Sequence, residues 1–321
     1  MTVPRWRLAE RPELGPINSL IRSLKSIEAE NADAFPDFTS SRSLCLASDY
    51  SGQHQGSVFE TYAFLLIDRN AMGPWLEARQ AIRSVLLSDG RRMSYKNLGD
   101  RYRQAALLPF LLGANLLPGI LAVVAVEKGL RTLFDASGPP EAWDPSLRPL
   151  EKMPKFAVER LLRLCHLGGL LVAGLSHPNQ DLLWLSDEDD VVANAERTRL
   201  AVKTFGNVSG HYLPHTLGHL RLASTASDTG RRDVEDLVAI ADLAAGSVCS
   251  VLNGYRKAGV QVGESLALPP EALPIKDRPL MDWFSDAGQP LKRVVLSFEC
   301  TKTSKPFLFR RYRFHDSRHR A

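Results

Sequence analysis

The sequence lacks most of the motifs that announce an activity on their own. It has no P-loop, no G-x-G-x-x-G after an apolar run and no G-x-S-x-G. That removes the P-loop phosphate cradle, the dinucleotide fingerprint and the hydrolase nucleophile elbow from consideration. Cysteine is scarce: Cys45, Cys165, Cys249 and Cys300 lie far apart with no C-x-x-C pair. Neither a structural zinc nor a disulfide framework is expected, and the first three, set in apolar segments, read as buried thiols in a reducing compartment. Net charge is only +4, which excludes a wholly basic nucleic-acid coat but leaves room for a local basic face. The longest apolar run, 105–126, is broken by Pro109, Asn115 and Pro118. It reads as helix, turn and strand rather than a membrane span. Residues 1–7 carry basic side chains without an apolar stretch, so a signal peptide is not expected. A cytoplasmic protein with no membrane partner is the expectation. No internal repeat is visible.

What is present suits a globular chain of 321 residues with 44% apolar residues, enough for one large domain or two ordinary ones. A short apolar run at 182–185 reads as a buried strand, and Asp187, Glu188, Asp189 and Asp190 follow where it should stop. Like charges this close raise one another's pKa, and a divalent cation relieves them. The same run also suits a helix N-terminus, with Ser186 or Asp187 as its cap and the acids complementing the helix dipole.

Two further carboxylates stand out. A strand over 44–49 ends on Asp49; a turn at Tyr50, Ser51 and Gly52 and a second strand over 57–67 suggest a hairpin. Asp49 at that edge also fits an Asx-turn. The last long helix, about 234–255, carries Asp242 among alanines and aliphatics. Asp is a poor interior helix residue, and a buried carboxylate requires a partner; the alternative is a solvent-facing position.

Between these lie a helix at 75–87, the segment Arg91 to Lys96, a helix at 101–112 with Asp100 as its cap, and a strand at 119–126. A proline-rich loop (138–154), a long apolar helix (156–175) and a helix over 191–205 come next. His166 is read as a packed core residue. Residues 206–214, with His211, are read as a loop. His215 and His219 are four apart, but 217–222 partly alternates and reads as a strand, where a spacing of four does not bring two ligands together as it does on a helix. Residues 17–29 have helical spacing inside an N-terminal extension, 1–42. After 257 a proline-rich linker leads to two β-like runs, 293–299 and 307–314. From residue 292 to the end there are nine Lys and Arg against two acidic residues, with Phe307, Phe309, Tyr312 and Phe314 interleaved. The mixture suits phosphate contacts and base stacking, and equally an edge hairpin with a charged outer face.

Carboxylates brought together from two strand ends and a packed helix would hold one or two Mg²⁺ or Mn²⁺ ions, which favour oxygen ligands. Such a site activates water for phosphodiester cleavage. The order of elements resembles the ribonuclease H-like fold, and more narrowly the DUF-thirty-eight-hundred family. Asp49-Tyr50-Ser51-Gly52 is similar to that family's Asp-Glu-Ser-Gly motif, and the segment from Ala239 to Gly246 to its Gln-x-Ala-Asp-Leu-Val-Ala-Gly motif. Tyr50 and Ala239 depart from the pattern. The resemblance implies an α/β mixed sheet flanked by helices over 43–257, followed by a linker and basic β-hairpin extension at 258–321. It implies a metal-dependent nuclease or related phosphodiester hydrolase. Asp49, Asp187 and Asp242 would be ligands, Asp189 or Glu188 a further one, and Lys96 would neutralise a phosphate. The alternative is a non-catalytic module on the same fold that binds nucleic acid or a partner; a hydrolase of a small non-nucleic substrate is a third reading.

Overall fold

β1 (Ser43–Ser51) is the strand around which the sheet is laid. The computed structural model describes residues 4–130, 145–189, 191–228, 230–260, 263, 265–266, 273–286, 288–301 and 307–314. Along β1, Leu44 and Leu46 enter one apolar core while Cys45 and Ala47 enter the other, as the two-residue period of a strand requires. β2 (Phe59–Asp68) returns antiparallel to β1, and β3 (Gly119–Glu127) continues the meander. On the other side of β1, β4 (Asp181–Ser186) and β5 (Leu220–Ser224) are added in parallel. Beyond β3 come β7 (Leu291–Glu299), parallel to it, and β8 (Leu308–Phe314), antiparallel to β7. The order is β5-β4-β1-β2-β3-β7-β8, with the two-residue β6 (Ser265–Leu266) on β8.

Helices cover both faces. α1 (Ile17–Glu30), α4 (Lys155–Leu175) and α5 (Ala195–Tyr212) pack on the layer that holds Leu44 and Leu46. α2 (Gly73–Leu86), α3 (Arg101–Ala114), α6 (Asp233–Lys257) and α7 (Arg278–Ser285) close the other. This mixed α/β sheet flanked by helices is consistent with the ribonuclease H-like fold expected from the sequence. Among the described residues one helix, α6, is long and apolar enough to cross a membrane. Here its apolar surface is buried against β1, β2 and β3.

Several local expectations are corrected. Most of 206–214 is not a loop: α5 runs on to Tyr212 through Gly206 and Gly210, and only 213–214 lie beyond it. Burial of Phe205, Val208 and Tyr212 outweighs the helix cost of two glycines. The same helix starts at Ala195, not at 191. Val191 and Val192 are buried in the preceding turn, and the Asn194 side chain caps the helix by accepting from the Arg197 amide at 2.9 Å. The strand expected over 217–222 begins only at Leu220. α7 lies in what read as a linker, because Pro279 sits in its first turn, where a missing N–H costs nothing. His166 is packed as expected, with Nδ1 2.6 Å from the Tyr212 hydroxyl. Cys45, Cys165 and Cys249 are buried, and Cys300 is exposed.

The N-terminal residues bury Trp6, Leu8 and α1 in the same core as β1. The C-terminal hairpin joins the sheet through the parallel pairing of β7 with β3. Of the expected proline-rich loop, 145–152 forms 3-10 turns. Its residues 138–144, Pro269 and Pro270, and the turn between the last two strands lie outside the described residues.

Candidate active site

The register of β1 against β4 ends at Ser48 beside Ser186. One residue further on, Asp49 and Asp187 stand level where the parallel pairing stops; β4 has ended, but β1 runs on to Ser51 along β2, so the strand end expected at Asp49 and the turn expected at Tyr50 and Ser51 are instead continuous strand. By the strand period both belong to the face of Ala47 and Leu185, which is the face α6 covers. α6 is seated there by Thr61, whose hydroxyl donates to the Ala245 carbonyl at 2.7 Å. Asp242, one turn earlier, therefore reaches the same end of the sheet. The three carboxylates come from three elements of one face.

Their electrostatics follow. Burial pushes the Asp49 carboxyl well above the usual carboxylate range, and the neighbouring Asp242, Asp187 and Asp189 push it further. Burial raises Asp242 to about 6, with Asp187 adding to the rise and Lys276 opposing it. Each carboxylate is anchored by nearby donors. Oδ1 of Asp49 accepts from the Tyr50 amide at 2.7 Å. Oδ1 of Asp187 accepts from the Thr225 hydroxyl at 2.5 Å and the Glu188 amide at 2.9 Å. Oδ2 of Asp242 accepts from the Tyr95 amide at 2.7 Å, and its carboxylate also accepts from the Ser94 side chain. Among the described residues no hydrogen bond takes the second oxygen of Asp49 or Asp187. A cleft of about 570 Å³ opens above them, lined by Asp49, Tyr50, Asp187, Asp189 and Arg160 among others.

Hard oxygen donors without thiol or imidazole suit Mg²⁺ or Mn²⁺. Among the described residues no three His, Cys, Asp or Glu side chains already stand as a ligand set. Taking up an ion requires these side chains to draw together.

The remaining sequence candidates are placed differently. Asp189 is at the cleft, but its carboxylate accepts from the Tyr50 hydroxyl and from the Val191 amide at 2.8 Å. Glu188 is exposed, and Asp190 lies outside the described residues. Tyr50, where the resembled motif has an acid, points to the α4 side of the sheet and packs near Tyr62. Lys96 is exposed on the short turn Tyr95–Asn97. The cation that acts on Asp242 is Lys276, whose Nζ lies 3.8 Å over the Tyr95 ring. Lys276 sits in a proline-rich stretch with no periodicity to flag it.

Tyr95 is the support that the sequence did not announce. Its amide holds Asp242 and its hydroxyl donates to the buried Asp277 at 2.7 Å. Gly246 lies under its ring, and a Cβ there would overlap the ring carbons. Gly52, at φ +94°, leaves no room for a Cβ between the Phe59 carbonyl and the Cys249 sulfur. Both motif glycines thus have a steric reason. Gly246→Ala is expected to destabilise the protein by about 1–3 kcal/mol, the usual result of overpacking. It should also lower activity more than that loss of fold accounts for, because the displaced ring carries the Asp242 donor with it. Urea unfolding and specific activity, measured on the same preparation, check this.

No family model matches the chain, and no curated protein matches it. Among solved structures it is similar to the ribonuclease H2 from Pyrococcus horikoshii OT3, at 11% identity. The match covers 75% of this chain and 85% of that one with a TM-score of 0.35.

Proposed function

We propose that the protein is a metal-dependent nuclease or related phosphodiester hydrolase, with DNA or RNA as its substrate. The observation that supports the reading is that Asp49 in β1, Asp187 just past β4 and Asp242 in α6 share one face, where their neighbours raise the carboxyls of Asp49 and Asp242 and so favour a cation. Asp49, Asp187 and Asp242 would hold Mg²⁺ or Mn²⁺, with Asp189 at the margin. The metal would supply an activated water and a Lewis acid for the departing oxygen. The chain's own contribution is orientation. The hydroxyls of Thr225 and Ser94 and the backbone amides of Tyr50, Glu188 and Tyr95 hold the three carboxylates, and Lys276 beside Asp242 limits the local negative charge. Lys96, on the turn that carries the Tyr95 amide, would meet a neighbouring phosphate. Membership in the DUF-thirty-eight-hundred family is part of this proposal and rests on the two motifs around Asp49 and Asp242.

The test is cleavage of labelled single-stranded and duplex DNA and RNA with Mn²⁺, with Mg²⁺ and with EDTA. Cutting is expected with either metal and none with EDTA. Cutting that survives EDTA would overturn the metal role. A binding module on the same fold is the second reading, favoured by Tyr50, which spends Asp189 on a hydroxyl. Salt-sensitive binding without cleavage under any metal would select it.

A further inference from the structure

Beside the acidic cleft runs a column of flat groups. The Tyr50 and Tyr62 ring centroids are 6.2 Å apart. The Arg160 guanidinium lies 4.8 Å over the Tyr50 ring and 5.5 Å from the centroid of the Phe156 ring. Phe156 and Arg160 are four apart on α4, so the helix itself stacks them on one side. The inner members are packed: Tyr62 and Arg160 are buried, and Tyr50 is half-buried. Phe156, the outermost, is 59% exposed. Among the described residues it is the one exposed phenylalanine, and it stands at the rim of the cleft that holds Asp49 and Asp187.

A single exposed apolar residue is ordinary on a protein surface. This one ends an ordered cation–aromatic stack that runs through Tyr50, a residue that lines the same cleft as Asp49 and Asp187, and its outer face is exposed. An occupant must therefore offer a flat π face, and beside it a negative group that a metal-loaded carboxylate cleft would accept. A nucleotide unit has both. An apolar peptide side chain has the first only, and a free phosphate the second only. A base paired inside a duplex has no free face to give.

We propose that Phe156 is the platform on which an unpaired base of the substrate strand stacks, next to the phosphate presented to the aspartates. The substrate is then single-stranded, or splayed, at the point of attack. This rests on the nuclease reading of the same cleft and adds to it the strandedness of the substrate. Stacking on an aromatic side chain is tolerant of base identity, so sequence preference at this position should be weak.

The experiment titrates the full chain, with Ca²⁺ present, into a short single-stranded oligonucleotide containing 2-aminopurine and into the same sequence as a duplex. Wild type, Phe156→Ala and Phe156→Trp are compared, with unfolding midpoints recorded for each. Wild type should quench the 2-aminopurine on binding. Phe156→Ala should abolish the quench and weaken single-strand binding about tenfold, a typical loss for one stacked base. Its salt slope should stay unchanged, because no phosphate contact is removed. Phe156→Trp should restore both signals. Single-strand affinity and quench equal to wild type in Phe156→Ala would overturn the proposal, as would an equal loss on single strand and duplex. Those results leave metal-dependent cleavage untouched. Failure of wild type to bind either nucleic acid would instead remove the nuclease reading, and this inference with it.

Discussion

Asp49→Asn and Asp242→Asn are each expected to lower metal-dependent cleavage by about 10²–10³-fold, the range seen when one preorganised electrostatic group is removed from an active site. Each should also make the metal-free protein more stable at neutral pH. The two effects share a cause. Burial and the neighbouring acids raise both carboxyls, Asp242 from 3.8 to about 6. Between those values the folded state binds more protons than the unfolded chain. Stability is therefore highest below the ordinary carboxyl value and falls as pH rises through the raised one. Asparagine keeps the shape and can still accept from the Tyr95 amide, but it has no proton to lose. One pKa unit corresponds to about 1.4 kcal/mol. Asp242 is partly exposed, so solvent screening reduces the full shift, and a gain of about 1–2 kcal/mol is expected for Asp242→Asn. Denaturant midpoints in EDTA should coincide near pH 4, diverge as the pH rises towards 6 and stay apart above it, with the variant the more stable. Mn²⁺ should then raise the midpoint of wild type and not of the variant, since a ligand that binds only the folded state stabilises it. A variant less stable than wild type at pH 7.5 would mean that the carboxylate serves the fold rather than a cation.

The sheet was legible because its strands carry the two-residue period or continuous apolar runs, and its helices the wider one. β1 through β4 and α1 to α4 start or stop within a few residues of the sequence reading. What periodicity missed has local reasons. The glycines at 206 and 210 imitate a loop, and only the packing of Phe205, Val208 and Tyr212 shows α5 continuing. The proline that opens α7 imitates a linker. At the candidate site, the carboxylates that end strands or interrupt an apolar helix stand out because charge in those places is expensive. The groups that manage them do not stand out. Tyr95 and Thr225 act through a backbone amide and a hydroxyl, and Lys276 acts from 34 residues beyond Asp242. None of these leaves a pattern in a single sequence. In the sequence Phe156 is simply the first apolar residue of a core helix, and only its exposure shows that it faces outward.

The largest stability loss is expected from a carboxylate that has no part in the proposed chemistry. Asp236, in the first turn of α6, is 0% exposed. It accepts from Arg79 Nε at 2.5 Å and from Arg83 Nε at 2.6 Å. Arg79 also donates to the Arg231 carbonyl and pairs with Asp233 at 2.9 Å. Glu235 holds Arg92 and Arg232 in turn. This network pins α2 to the start of α6, where acidic side chains also complement the helix dipole. Asp236→Ala leaves two largely buried guanidinium groups without their shared anion and is expected to cost about 3–5 kcal/mol. Salt should change this loss little, because buried pairs are poorly screened. Asp236→Leu combined with Arg79→Met and Arg83→Met should recover most of the stability, since apolar groups of similar volume replace a buried ion cluster at little cost. Asp242 lies six residues, about 9 Å, further along α6. If the network serves only to anchor the helix, the triple variant recovers cleavage together with its unfolding midpoint. If its midpoint recovers and cleavage does not, the arginines take part in holding the substrate strand, and the anchoring role is incomplete.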